Sequence, residues 1–147
     1  MQYKLPEETI MLQDTVKRFV DELIPLETQL PERPNSYELP QDLYLELTGK
    51  VHEMGLTARE TPEDAGGAGL GPLDNCIVTE QVHRSTAGCS VFSASFASML
   101  YELGTEEQKN KYMVPSVKGE FHGSSAFSEP VAGGDMAGIQ TTIEEKD

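Results

Sequence analysis

The sequence predicts a mainly α protein, a bundle of five helices followed by the first strands of a β-domain that is incomplete. Three observations predict it. Apolar residues recur at helical spacing in several separate windows. Pro and Gly punctuate those windows at their starts and stops. After Gly119 the helical period gives way to Gly-rich turn chemistry and a β-prone run. A chain of 147 residues is long enough to bury one core of ordinary size. Its apolar fraction of 37% is low, so some apolar surface is expected to meet protein segments outside this chain.

The first helix should start at Pro6, whose φ is preset for the first helical position, with Glu7 and Glu8 beside the positive end of the dipole. Leu12, Val16, Phe19, Val20 and Leu23 form its apolar stripe, and Pro25 should end or kink it. Residues 31–37, with two prolines, Asn35 and Ser36, read as an irregular connection. A second helix should open at Pro40, face inward through Leu43, Leu47, Val51 and Met54, and stop at a left-handed Gly55.

Residues 56–72 lose the period and carry turn chemistry throughout. A third helix is expected from about Leu73 to Arg84, with Cys76, Ile77 and Val82 facing in. A fourth should run from about Ser90 to Leu103, its Ser93, Ala94, Ser95, Ala97 and Ser98 allowing close approach of a neighbouring backbone or a flat ligand. Thr105-Glu106-Glu107-Gln108 has the pattern of a capping box, so a fifth helix should start there and stop at Gly119. Phe121 to Phe127 could form a short strand, and Ile139 to Glu144 is a β-prone run. One or two strands alone are marginal in water and leave open edges, so they are expected to begin a larger β-domain. The expected division is 1–119 for the helical domain and 120–147 for the start of that β-domain.

Charge narrows the function classes. With 25 acidic and 11 basic residues the formal charge is -14, which repels nucleic-acid phosphates and anionic lipid. No run approaches the roughly 20 apolar residues of a membrane span. The N-terminus has neither a signal-peptide pattern nor an Arg-rich amphipathic presequence, so the expected location is the cytoplasm, or the mitochondrial matrix for a mature imported form. Cys76 and Cys89 have no metal-ligand spacing and read as two buried thiols in a reduced compartment. His52, His83 and His122 stand alone, so no metal site is expected.

Gly66 to Gly71 invites comparison with a phosphate loop. No Lys-Ser or Lys-Thr pair follows, Pro72 removes one amide, and no apolar strand precedes, so a structural connection is expected. The acidic runs on the first and fifth helices read as solvated faces, and no nucleophile elbow is present. Residues 124–138 are different. They could offer backbone amides and the Ser128 hydroxyl at a strand end, with small residues on which a planar ring could lie flat; a plain turn fits those residues equally well.

Three motifs, in order and at sensible spacing, resemble the acyl-CoA dehydrogenase family over nearly the whole chain. Pro62-Glu63-Asp64-Ala65-Gly66-Gly67-Ala68-Gly69-Leu70-Gly71 is similar to its Pro-Glu-x-x-Gly-Gly-x-Gly-Leu-Gly pattern, with Glu80 on the helix that follows. Gly104-Thr105-Glu106-Glu107-Gln108-Lys109-Asn110-Lys111-Tyr112 resembles a second, and Phe127-Ser128-Glu129-Pro130-Val131-Ala132-Gly133-Gly134-Asp135 a third.

The resemblance implies an N-terminal-like helical bundle of a three-part flavoenzyme, which holds FAD between its middle and C-terminal domains. Such an enzyme takes an α-proton and a β-hydride from an acyl-CoA thioester. By that likeness Ser125, Ala126, Phe127 and Ser128 would line the flavin. Val91 and Ser95 would belong to the helix walling the acyl pocket, and Gly134 would stand where a Ser commonly touches the pantetheine arm, leaving that hydroxyl absent. The family's catalytic Glu belongs to the C-terminal domain and has no counterpart here, so no catalytic residue is assigned and the isolated chain is expected to be inactive. Implied partners are an acyl-CoA substrate, the missing domains or a full-length relative, and further copies in a homo-oligomer. The alternative is a non-catalytic helical interaction module derived from the same family.

Overall fold

The computed structural model describes residues 4–27, 39–92, 96–120, 126 and 128–144. It is dominated by helices. The first, α1 (Glu7–Glu27), buries Thr9, Val16, Phe19, Val20 and Leu23, close to the stripe that the spacing predicts. Pro25 does not end it. In the last turn the missing N–H removes one intrahelical bond, and the chain continues in helical conformation to Glu27. The irregular connection expected at 31–37 lies outside the described residues.

Pro40 is the N-cap of α2 (Gln41–Glu53), which buries Leu47, Thr48 and Val51 and half-buries Leu43 and Met54. Gly55 follows with φ +72°, the left-handed stop expected from the sequence. The next helix, α3 (Pro72–Val82), turns in through Val78, Gln81 and Val82. That is one step round from the expected face: Ile77 is half-buried and Cys76 is exposed. Its start is tied to α1, since Thr9 Oγ1 donates to Asp74 at 2.7 Å.

The predicted fourth helix is two elements, α4 (Thr86–Val91) and α5 (Ala97–Leu103), with 93–95 between them outside the described residues. Ser85 explains the early start. It is a side-chain cap, its hydroxyl accepting from the Gly88 N–H at 2.9 Å while donating to Glu27 at 2.5 Å. The predicted fifth helix is present over 106–117 in three joined pieces: α6 (Glu106–Gln108), a π-helical turn (Lys109–Met113) and α7 (Val114–Val117). Pro115, which lacks an N–H, cannot continue the α-type bonding pattern through that turn. The capping box is complete, with Thr105 and Gln108 bonded in both directions.

The main core joins α1, α2, α3 and α4 through Val16, Val20, Leu23, Val51, Val78, Val82 and Val91. Phe19 and Phe92 meet edge-to-face at 5.7 Å between centroids. A smaller core of Ala58, Ala97, Met113 and Val117 seats α5 against the helix over 106–117. Both thiols are exposed, contrary to the expectation that they are buried. They lie on the outer sides of α3 and α4, whose inward positions are taken by valines and Phe92. No helix among the described residues is long and apolar enough to cross a membrane.

Candidate functional site

The Gly-rich connection is built as a structural turn. The amides of Gly66, Gly67, Ala68, Gly69 and Leu70 all donate to backbone carbonyls within residues 58–63, so they are not free to cradle a phosphate. Gly67 is sterically required, because a Cβ there would lie 2.0 Å from the Thr61 carbonyl oxygen. The turn is bolted to its neighbours by a residue that sequence reasoning missed. Half-buried Arg59 donates through Nε to Asn75 Oδ1 at 3.0 Å, through Nη1 to the Phe92 carbonyl at 3.3 Å and through Nη2 to Thr79 Oγ1 at 3.4 Å. Burial pulls its pKa below the usual guanidinium value, and nearby Glu60 opposes that shift. The guanidinium thereby fixes the chain just as it leaves α4.

Of the residues assigned to the acyl wall, Val91 is 3% exposed and belongs to the main core. Ser95 lies outside the described residues, as do Ser125 and Phe127 of the flavin segment. Ala126 and Ser128 are described, and both are exposed.

From Ser128 onward the chain forms a compact loop. The Glu129 N–H donates to the Ala132 carbonyl at 2.8 Å and the Ala132 N–H returns the bond at 3.2 Å, folding Pro130 and Val131 into a tight turn. This is the one β-bridge among the described residues. Ala132 is buried, while Gly133 and Gly134 are open: a Cβ built on either would meet nothing within 4 Å. Asp135 Oδ1 accepts the Ala137 N–H at 3.1 Å and starts a single 3-10 turn (Met136–Gly138). The β-prone residues 139–144 have no ladder partner among the described residues, and Ile143 is 98% exposed.

The two ends of this loop are closed by one side chain. The Glu129 carboxylate accepts the Gln140 N–H and the Thr141 N–H, each at 2.8 Å, and also the Thr141 hydroxyl. The Thr141 hydroxyl most of all, then the two amides, hold its carboxyl below the usual glutamate range. Asp21 is likewise held low, by its hydrogen bonds with Lys17 and Arg84. Both shifts run opposite to that required of a carboxylate base poised near neutral pH. Nothing local in the sequence marks Glu129 as a clamp, since its acceptors' partners lie eleven and twelve residues away.

A pocket of about 350 Å³ lies between the end of α1 and α4, lined by Glu27, Arg84, Ser85 and Cys89 among others. Its carboxylate is already engaged, accepting from Ser85 and from the Ala87 N–H at 2.6 Å. Among the described residues no group of three or more His, Cys, Asp or Glu side chains could hold a metal ion.

Known proteins resemble this chain over nearly all of its length. The family model described as "Acyl-CoA dehydrogenase, N-terminal domain" matches residues 6–120. Mitochondrial isovaleryl-CoA dehydrogenase from Pongo abelii is 31% identical over 146 residues, covering 97% of this chain and 34% of the relative. A crystal structure of acyl-CoA dehydrogenase complexed with FAD from Bacillus anthracis superposes with a TM-score of 0.73 at 28% identity, over 93% of this chain and 23% of that one. Butyryl-CoA dehydrogenase from Megasphaera elsdenii gives 0.71 at 28% identity, over 96% and 37%. The chain thus spans about a third of the length of the curated relatives it matches.

Proposed function

The chain belongs to the acyl-CoA dehydrogenase family, and from that premise we propose that it is the N-terminal part of a flavin-dependent enzyme that dehydrogenates acyl-CoA thioesters at the α,β position. The observation that carries this reading is a family-matched helical bundle followed along the chain by a loop, residues 128–141, that is closed by its own hydrogen bonds. In this reading residues 1–119 are the helical domain and 120–147 begin the middle β-domain. The exposure of residues 140–144, which have no ladder partner among the described residues, supports that division, because such a segment is free to pair with further strands.

The residues present suit a flat cofactor. Ala126 and Ser128 are exposed, and Gly133 and Gly134 leave open space beside their backbone. Residues 125–128 would hold the ring of FAD, Ser128 through its hydroxyl and the neighbouring residues through backbone amides. FAD, when bound, supplies the acceptor for the β-hydride. Ser95 would face the acyl chain, with Val91 bracing that wall from the core behind it. Gly134 would contact the pantetheine arm through backbone alone. Acyl-CoA, the middle and C-terminal domains and further copies of the chain are the proposed partners, in the cytoplasm or the mitochondrial matrix.

Proton abstraction needs a base within hydrogen-bond reach of the α-carbon's proton, and this reading places that base outside the 147 residues. The chain alone, given FAD, butyryl-CoA and an electron-accepting dye, should leave the dye oxidised. Dye reduction that depends on the thioester would overturn the placement of the base.

A further inference from the structure

The loop over 128–141 carries two features of different kinds. Its turn, at Gly133 and Gly134, has no side chain and no neighbour within reach of a Cβ. Its base is closed by three hydrogen bonds converging on a single carboxylate, from Gln140 and Thr141 to Glu129. An open, side-chain-free turn is a good contact surface for a ligand only if its backbone is fixed, since otherwise binding must order it at an entropic cost. Glycines at two consecutive positions make that cost largest, because they have the most conformational freedom to lose.

The bridge between Glu129 and Ala132 fixes only the near side of the turn, and the Asp135 cap only the 3-10 segment. Neither joins the two ends. Glu129 is the residue whose side chain does.

We propose that Glu129 is a positioning residue, closing residues 129–141 into a preformed loop and so holding the Gly133–Gly134 backbone ready for the CoA thioester. This rests on the functional reading given above. Glu129 acts through the loop backbone and does not itself reach the substrate. Its carboxylate is needed because two oxygens must serve three donors. Oε2 takes the Gln140 amide and Oε1 takes both Thr141 groups. A carboxamide offers one acceptor oxygen and so retains one side of the clamp.

The test compares the 147-residue chain with E129A and E129Q by amide hydrogen exchange, thermal melting and titration with butyryl-CoA followed at the Gly133 and Gly134 amides. In E129A the Gln140 and Thr141 amides should exchange roughly tenfold faster, while the melting temperature of the helical core stays unchanged. E129Q should keep protection at one of the two amides. Butyryl-CoA should shift the glycine amides of the wild type, with affinity falling at least about fivefold in E129A and partly recovering in E129Q.

Unchanged exchange in E129A would overturn the clamp. Lost protection with unchanged butyryl-CoA affinity would overturn the positioning role. A wild type whose protected loop shows no response to butyryl-CoA would remove the ligand, and the positioning role with it. That result is distinguishable from clamp failure because the exchange difference between the variants would persist.

Discussion

Gly67 and Gly134 are two glycines with opposite reasons for being glycine. At Gly67 an added Cβ would meet the Thr61 and Ala58 carbonyl oxygens at 2.0 and 2.6 Å. Gly67→Ala should therefore cost about 2–3 kcal/mol or more, the range of overpacking against atoms that cannot move aside. At Gly134 the space is open and φ is not positive, so Gly134→Ser should leave the melting temperature where it is. Paired thermal melts check both, and a stable Gly67→Ala would contradict the geometry. Glu129 is the third residue of consequence. Its pKa is lowered in the folded loop, so its contribution is fully present above the ordinary glutamate range and is lost as pH falls through the lowered value. The Thr141 amide shift, followed against pH, should show a midpoint below that range; a midpoint within or above it would contradict the hydrogen bonds. Sequence spacing revealed the Gly-rich turn but neither Arg59 nor Glu129. Their partners are distant in sequence and become neighbours only once α3 and the loop have folded.

Helical structure stands at each of the five predicted places, the fourth as two separate elements, because each was announced by its own apolar stripe or end signal. Leu23, 1% exposed in the main core, should cost about 2–5 kcal/mol on truncation to Ala. Leu103, 82% exposed at the end of α5, should cost no more than about 0.5 kcal/mol. Chemical denaturation of the two variants separates them, and similar losses would contradict the assigned faces. The Thr105 cap is testable in the same way. Thr105→Ala removes the hydroxyl that accepts the Gln108 N–H and should cost about 1 kcal/mol. The misread features share one cause. The face of α3, the early start of α4 and the exposure of Cys76 and Cys89 are set by what packs beside each helix. Val78 faces in because α1 lies there, and α4 starts early because Glu27, carried by α1, receives the Ser85 hydroxyl and the Ala87 amide. Local patterns do not carry that information.

As a whole molecule, the chain is a family-matched bundle followed by a closed loop and an exposed segment. The low apolar fraction fits this form: the described core is complete around α1 to α4, while Leu103, Val131, Met136 and Ile143 remain exposed. The fold class and the family were legible in three spaced motifs. The proposed flavin and thioester contacts were legible only as motif positions, since local spacing does not show what would meet them in space. We propose that these 147 residues can supply the N-terminal third of a working acyl-CoA dehydrogenase. The most direct measurement joins them to the remaining two thirds of the Megasphaera elsdenii butyryl-CoA dehydrogenase, loads the fusion with FAD and records the absorption band of oxidised flavin as butyryl-CoA is added. The band should bleach. A folded, FAD-loaded fusion whose band is unchanged by the thioester would contradict the proposal.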